Sequence, residues 1–235
     1  MKKVLAVLLV TLVASGVVMA QFKVTSVGGG LNVSGLLGPT GATEDQSKGG
    51  YGMGFGPFLG VGAKVRATMG TMPVRWTANV TYDIFQGSGG SPTQKVTQGA
   101  LGIALGAEYA LKEMKMGSMN LWPYVGGELQ FNIYPEPTFD PALSGTQKLP
   151  SGSRIGLGLG GGVEYQLKEG LNLDLGLKLN FANLILTPSS QTLTEYGSDP
   201  KVVWRSAAVT NSTTSVDEGT MMDLQLRIGI NYALK

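Results

Sequence analysis

Twelve charged side chains occupy alternate positions of segments that are otherwise largely apolar, and they are the residues best placed to do chemistry. The cationic ones are Lys64, Arg66, Arg75, Arg154, Lys178 and Arg227, and the anionic ones are Asp83, Glu108, Glu128, Glu164, Asp174 and Asp223. A pair of carboxyl groups can act as general acid and base, but here carboxylates alternate with cations. The chain also contains no histidine and no cysteine. We therefore predict no enzymatic activity and no catalytic residues.

Two further patterns could bind a cofactor or a metal ion. Gly156, Gly158 and Gly161 have the spacing of a dinucleotide-binding fingerprint, which needs a helix beginning at the glycines. Here apolar residues keep a period of two through Tyr165, so the segment is better interpreted as a strand. Acidic residues elsewhere fit no EF-hand loop: they are Glu136, Asp140, Glu195, Asp199, Asp217 and Glu218. We predict no cofactor and no metal site.

The elements that position these side chains are β-strands, because apolar and polar residues alternate with a period of two. In segment 74–84, Val74 and Trp76 fall on one face while Arg75 and Thr77 fall on the other. The same alternation occurs at 51–66, 101–109, 121–133, 155–165, 173–181 and 222–234, and more weakly around Leu31, Val33 and Leu37. Eight such strands are typical of a transmembrane barrel. We predict an all-β fold, an eight-stranded antiparallel up-and-down transmembrane β-barrel.

The connections between these strands alternate in length. Longer ones are expected at 38–50, 86–95, 135–153 and 184–219, and shorter ones at 67–72, 112–120 and 168–171. If the mature N-terminus starts in the periplasm, all the longer loops face outward, as in outer-membrane barrels.

Aromatic residues on the apolar faces are predicted at two levels. Tyr51, Tyr82, Phe131 and Phe181 fall near the outer strand ends, and Trp76, Tyr109, Tyr165 and Tyr232 near the inner ends. Amphipathic rings favour the headgroup boundary of a bilayer, so these residues indicate an aromatic girdle. A soluble barrel such as a lipocalin is the alternative, but its apolar face points inward and has no reason to place rings at both rims.

The first twenty residues predict export. Lys2 and Lys3 precede an apolar run from Val4 to Val13, and small residues follow up to Ala20, as in a secretory signal. We expect a signal peptide at 1–20, cleaved after Ala20, and a barrel domain at 21–235 in the outer membrane of a Gram-negative envelope. Cleavage takes the formal net charge from +2 to zero by removing two lysines, and no basic patch indicates nucleic acid.

The polar strand faces are expected to enclose the lumen. The predicted lumenal charge network comprises Arg75, Asp83, Glu108, Glu128, Glu164, Asp174, Lys178 and Arg227. Strand direction places most of these toward the periplasmic end, with Glu128 and Lys178 nearer the middle. Because an isolated charge in a narrow lumen loses on the order of several kcal/mol of hydration, we expect opposite charges to pair and hold the barrel together. A solute path or gate is the alternative.

Glycines leave two lumenal strand faces nearly bare, at positions 52, 54, 56, 60 and 62 and at positions 156, 158, 160 and 162. Two outcomes are open. Either long side chains such as Tyr124, Gln130 and Arg227 fold across the lumen, or a water-filled cavity remains.

The closing segment carries a family resemblance through Arg227, Gly229, Tyr232 and Leu234. It resembles the terminal strand that directs outer-membrane barrels to the barrel-assembly machinery. The mature chain as a whole resembles the small eight-stranded outer-membrane barrels, namely the transmembrane part of outer-membrane protein A and its single-domain relatives. The resemblance implies the outer-membrane bilayer and the assembly machinery as partners.

Three functional hypotheses follow. The first is a non-enzymatic barrel with an ion-paired lumen, whose outer loops serve envelope integrity, adhesion or binding. In the longest loop, Trp204 beside Arg205 is a candidate contact for lipopolysaccharide or a surface ligand, since such residues often anchor interfaces; packing of the loop on itself is the alternative. The second is a porin-like channel for small solutes, and the third is a soluble secreted carrier.

Overall fold

The computed structural model describes residues 22–37, 51–52, 58–70, 72–89, 94–117, 119–135, 138–140, 152–185, 201–204, 207–209 and 221–234. The signal peptide expected at 1–20 lies outside these residues. Eight long strands carry the fold: β1 (Phe22–Leu37), β2 (Phe58–Met69), β3 (Val74–Gly89), β4 (Gln94–Ala110), β5 (Met119–Tyr134), β6 (Gly152–Lys168), β7 (Leu171–Ile185) and β8 (Met222–Ala233). Short strands lie at Tyr51–Gly52, Met114–Met116, Thr138–Asp140, Lys201–Trp204 and Ala207–Val209.

The eight long strands form a closed antiparallel barrel. Each strand pairs with its neighbours in sequence, and β8 pairs back with β1. The closing register runs from Ser26 opposite Ala233 to Leu37 opposite Met222. Closure leaves no unpaired sheet edge among these strands. The predicted eight-stranded antiparallel up-and-down barrel is therefore confirmed.

The two ends of the barrel differ in their connections. At one end, here called the turn end, β2 and β3 are joined through Gly70 and β6 and β7 through Gly170, with φ of +63° and +75°. Glycine adopts this left-handed conformation without the clash of a Cβ atom. The first strand begins at this end, where Phe22 pairs with Met69. At the other end, here called the loop end, the connections are 38–57, 90–93, 135–151 and 186–221.

Several connections differ from the sequence-based expectation. The long strand expected from Tyr51 begins at Phe58, and Tyr51–Gly52 forms a separate short strand. The connection expected at 86–95 spans only residues 90–93, because residues 85–89 pair with residues 94–98. The turn expected at 112–120 contains Met114–Met116, which pairs with residues 119–121 and lengthens the hairpin. In the longest loop, Lys201–Trp204 pairs with Ala207–Val209 in a two-stranded sheet that is separate from the barrel.

Alternation along the strands separates a polar interior from an apolar exterior. Asn32, Asp174 and Asn231 point inward and are almost completely buried, whereas Leu59 and Leu105 are 67% and 68% exposed on the outside. The inward positions collect the charged and amide side chains because successive strand residues face opposite ways. Among the residues described, no helix is long and apolar enough to cross a membrane.

Candidate functional site: the barrel lumen

Six charged side chains form one cluster in the half of the lumen nearest the turn end. This inner cluster consists of Lys64, Arg66, Arg75, Glu108, Glu164 and Asp174. Arg66 lies at its centre and is only 1% exposed. Its Nε donates to Glu108 Oε2 at 2.7 Å, its Nη1 to Glu164 Oε1 at 2.9 Å, and its Nη2 to Asp174 Oδ2 at 3.0 Å. One guanidinium therefore joins carboxylates from three strands.

Lys64 and Arg75 complete the inner cluster. Lys64 Nζ lies 3.0 Å from Glu108 Oε1 and 3.4 Å from Asp174 Oδ2. Arg75 Nη2 lies 3.1 Å from Glu108 Oε2, and its Nη1 contacts Glu164. Three cations from β2 and β3 thus share three carboxylates from β4, β6 and β7. Such sharing offsets the hydration that each buried charge loses.

Tyr124 crosses the lumen and packs within the inner cluster. Its hydroxyl donates to Asp174 Oδ1 at 2.7 Å. The Lys64, Arg66 and Arg75 cationic groups lie 5.1 to 5.3 Å from the centre of its ring, close enough for cation–π attraction. A Cβ atom added at Gly162 would lie 2.5 Å from the Tyr124 hydroxyl. The bare wall of β6 therefore makes room for this ring.

A second ion pair lies near the middle of the barrel. Lys178 Nζ is 2.5 Å from Glu128 Oε1. Asn79 Nδ2 donates to the other carboxylate oxygen at 2.6 Å, and Gln130 Nε2 donates to Oε1 at 2.8 Å. This middle pair is separate from the inner cluster, and its carboxylate accepts from two amides as well as from the ammonium group.

Asp83 and Arg227 of the predicted network are placed differently, as is the lumenal Asp223. Asp83 accepts a hydrogen bond from Asn32 Nδ2 at 3.4 Å, and Asp223 accepts one from Asn180 Nδ2 at 2.8 Å, so each meets an amide. Arg227 is buried, and its Nε and Nη2 have no hydrogen-bond partner among the described residues. The structure thus brings Arg75, Glu108, Glu164 and Asp174 together, joins Glu128 to Lys178, and leaves Asp83 and Arg227 outside both groups.

Two cavities lie within the lumen. The larger has a volume of about 70 Å³ and is lined by residues that include Lys64, Tyr124 and Arg227. The smaller has a volume of about 40 Å³ and lies toward the loop end beside Asp83 and Asp223. Glu128 and Lys178 line both cavities. The two alternatives drawn from the glycine faces therefore coexist, because Tyr124 and Gln130 cross the lumen and cavities remain beside them.

Apolar side chains lie at the loop end of the lumen. Phe58 and Phe85 are buried and meet edge to face, with ring centres 5.2 Å apart. The Tyr134 hydroxyl lies 3.6 Å from the Met221 sulfur, and Leu36 is buried nearby at the end of β1. We call these five residues the apolar cluster. Each occupies a position on the polar side of its strand's alternation, a signal in the sequence that the charge-based interpretation passed over.

The arrangement limits what the lumen can do chemically. Every carboxylate of the inner cluster and the middle pair already contacts a cation, so none of these carboxylates is without a salt bridge. The geometry favours closing the barrel or admitting small ions over acid–base catalysis.

Comparison with known proteins concerns the fold. No family model and none of the curated proteins match the chain. Among solved structures, the chain is similar to Neisserial surface protein A, with a TM-score of 0.48 and 15% identity, covering 89% of this chain and 97% of that one. It is also similar to the attachment invasion locus protein of Yersinia pestis, solved with the heparin analogue sucrose octasulfate, with a TM-score of 0.41, 10% identity and coverage of 90% and 98%.

A third similar structure is the N-terminal β-barrel domain of Pseudomonas aeruginosa OprF, with a TM-score of 0.35, 13% identity and coverage of 89% and 100%. At these identities the likeness concerns the fold alone. The predicted resemblance to small eight-stranded outer-membrane barrels is confirmed for the fold, because the strand pairing forms a closed antiparallel barrel of eight strands.

The predicted girdle residues lie on the outer surface where the structure describes them. Five are exposed, namely Trp76, Tyr82, Tyr109, Phe131 and Tyr232, while Tyr165 and Phe181 are half-buried. The side chain of Tyr51 lies outside the described part of the chain. In the closing strand, Arg227 and Gly229 face the lumen, whereas Tyr232 and Leu234 face outward.

Proposed function

We propose that this chain is an integral outer-membrane barrel whose lumen is closed and whose outer loops carry a non-enzymatic envelope or surface-binding role. The observation that carries the proposal is the polarity of the barrel. Its charged and amide side chains are buried inside, while large apolar side chains are exposed all around the outside. A soluble barrel has the opposite polarity, since water would penalise such a surface. The hydrocarbon core of a bilayer is the solvent that fits it.

The orientation supports the rest of the proposal. The turn end, with its tight connections, faces the periplasm and the loop end faces outward, as is usual for outer-membrane barrels. A signal peptide, cleaved after Ala20, directs export. The barrel-assembly machinery then recognises the closing strand through the exposed Tyr232 and Leu234. The outer loops, including the segment around Trp204 and Arg205, bind lipopolysaccharide or another surface ligand.

A fractionation experiment tests the membrane assignment. The full chain is expressed in a Gram-negative host, and the outer membranes are washed with alkaline carbonate and then extracted with detergent. The protein should resist the wash, enter the detergent extract and migrate differently on gels before and after heating. Recovery in the aqueous fraction without detergent would instead indicate a soluble carrier.

A channel for small solutes is the second candidate, and the two lumenal cavities favour it. Glu128 and Lys178 line both cavities, as do Asn79, Thr81 and Gln225, so this ion pair lies at the boundary between the two volumes. The apolar cluster toward the loop end and the inner cluster toward the turn end favour the closed form.

Conductance in a planar bilayer separates the two candidates. Protein shown to be inserted should give no discrete current steps if the lumen is closed. Reproducible steps in the wild type would favour the channel, and E128Q should then alter their conductance or ion selectivity. E113Q is the matched control, because Glu113 is exposed in the connection between β4 and β5 and lies outside both cavities.

A further inference from the structure

Arg227 differs from Lys64, Arg66, Arg75 and Lys178, because each of those lumenal cations forms a salt bridge among the described residues and Arg227 does not. Arg227 is only 8% exposed and lines the larger cavity, yet its Nε and Nη2 have no hydrogen-bond partner among the described residues. A buried guanidinium usually carries carboxylate or carbonyl partners, because leaving its donors unsatisfied is costly. We infer that the larger lumenal cavity binds a small inorganic anion, such as chloride, at the Arg227 guanidinium.

The charge around the cavity favours an anion over a cation. Its charged lining residues are Lys64, Lys178, Arg227, Glu108 and Glu128, which gives three positive charges against two negative ones. Both carboxylates are already in salt bridges, Glu108 with three cations and Glu128 with Lys178. The excess positive charge therefore falls to Arg227. Guanidinium donors bind anions through charge-assisted hydrogen bonds.

The cavity has room for such an ion but not for a large one. Its volume is about 70 Å³, and about 10 to 15 Å³ admits one water molecule. Gly176, which lines the cavity, faces Arg227 across the β7–β8 pairing and contributes no side chain to the space. A chloride or bromide ion with a few waters fits, whereas an organic anion such as gluconate is too large.

The inference does not depend on whether the barrel conducts or which ligand its loops bind. An anion on Arg227 would neutralise the surplus charge and tie β8 to the cavity wall. Anion binding should therefore stabilise the folded barrel, since a ligand that binds only the folded state raises its stability by mass action.

A thermal unfolding titration tests this inference with the refolded mature protein in a zwitterionic detergent. Sodium chloride is compared with sodium gluconate at matched ionic strength. Chloride should raise the unfolding midpoint of the wild type in a saturable manner, and gluconate should not. In R227Q the half-saturating chloride concentration should rise by about tenfold or more, as expected when a charged donor is lost. K168Q, which loses an exposed lysine at the β6–β7 turn, should respond as the wild type does.

Bromide diffraction provides a measurement that needs no variant, in case R227Q fails to fold. Wild-type crystals soaked in sodium bromide should show an anomalous peak beside the Arg227 guanidinium. An ordered water without anomalous signal at that place would overturn the inference. So would equal responses to chloride and gluconate, or a chloride response in R227Q equal to that of the wild type.

Discussion

Arg66 provides the sharpest test of how the lumen holds the barrel together. Its guanidinium makes four hydrogen bonds to three carboxylates, at 2.7, 2.9, 3.0 and 3.3 Å. R66M keeps an unbranched side chain of moderate length but removes all four bonds. Glu108, Glu164 and Asp174 would then share only the salt bridges to Lys64 and Arg75, which leaves one buried carboxylate charge without compensation.

The expected loss follows from that uncompensated charge. Removing one partner from a buried ion pair costs about 3 to 5 kcal/mol, because the remaining charge is not rehydrated. Arg66 is 1% exposed, so solvent screening reduces this figure little. We expect R66M to lower the free energy of unfolding by about 3 to 5 kcal/mol. Since the excess charge is negative, R66M/E108Q should recover part of the loss.

Urea unfolding in phospholipid vesicles measures the loss in free energy of unfolding. Two signals report the folded fraction: tryptophan fluorescence and the share of protein whose migration on unheated gels is shifted. The matched control is K23M, which removes an exposed lysine from β1 and should change stability little. A loss below about 1 kcal/mol in R66M, the range of an exposed pair, would refute the argument. An E108Q combination less stable than R66M alone would show that the charge count is not what matters.

Three further predictions concern other parts of the barrel. Y124F, which removes the hydroxyl that donates to a buried carboxylate, should cost about 1 to 3 kcal/mol in the same urea assay, and an unchanged midpoint would contradict this role. F85A should cost about 3 to 5 kcal/mol by opening a cavity beneath the loop end, and a loss near zero would mean that the apolar cluster does not pack. Y232S/L234S should reduce the heat-modifiable folded protein in outer membranes, whereas I228S, which changes an exposed residue of the same strand, should reduce it less. Equal levels for the two variants would remove the assembly argument.

The strands and their inward faces could be predicted from sequence because both depend on a local period. A residue's neighbours two positions away fix its face, so Asp174 and Arg227 could be assigned to the interior without knowing any contact. An even number of strands allows the first and last strands to pair antiparallel, and the observed pairing of β1 with β8 shows the closure. The same logic placed Glu128 and Lys178 at mid-depth, where the structure has them paired.

Individual partners could not be predicted, because they depend on distances across the lumen. Arg75 and Glu108 face each other on adjacent strands, and their contact could be read from a register. Arg66 and Glu164 lie on β2 and β6, which are not paired, so their contact depends on barrel width and on side-chain rotamers. The alternation of polar and apolar residues likewise predicts that Arg227 faces inward. It does not predict that the Arg227 Nε and Nη2 have no hydrogen-bond partner among the described residues, because that also depends on distances across the lumen.

The apolar cluster changes how the charged interior should be understood. If ion pairs alone closed the lumen, neutralising one of them would suffice to open a path. Phe58, Phe85 and Tyr134 are buried at the loop end, and we expect them to hinder passage there independently of charge. If these apolar side chains and the ion pairs act in series, separation of the middle pair would not by itself open the barrel to the outside. Silence of E128Q in a bilayer would therefore be consistent with a movable ion pair, and conduction would require loss of the apolar barrier as well.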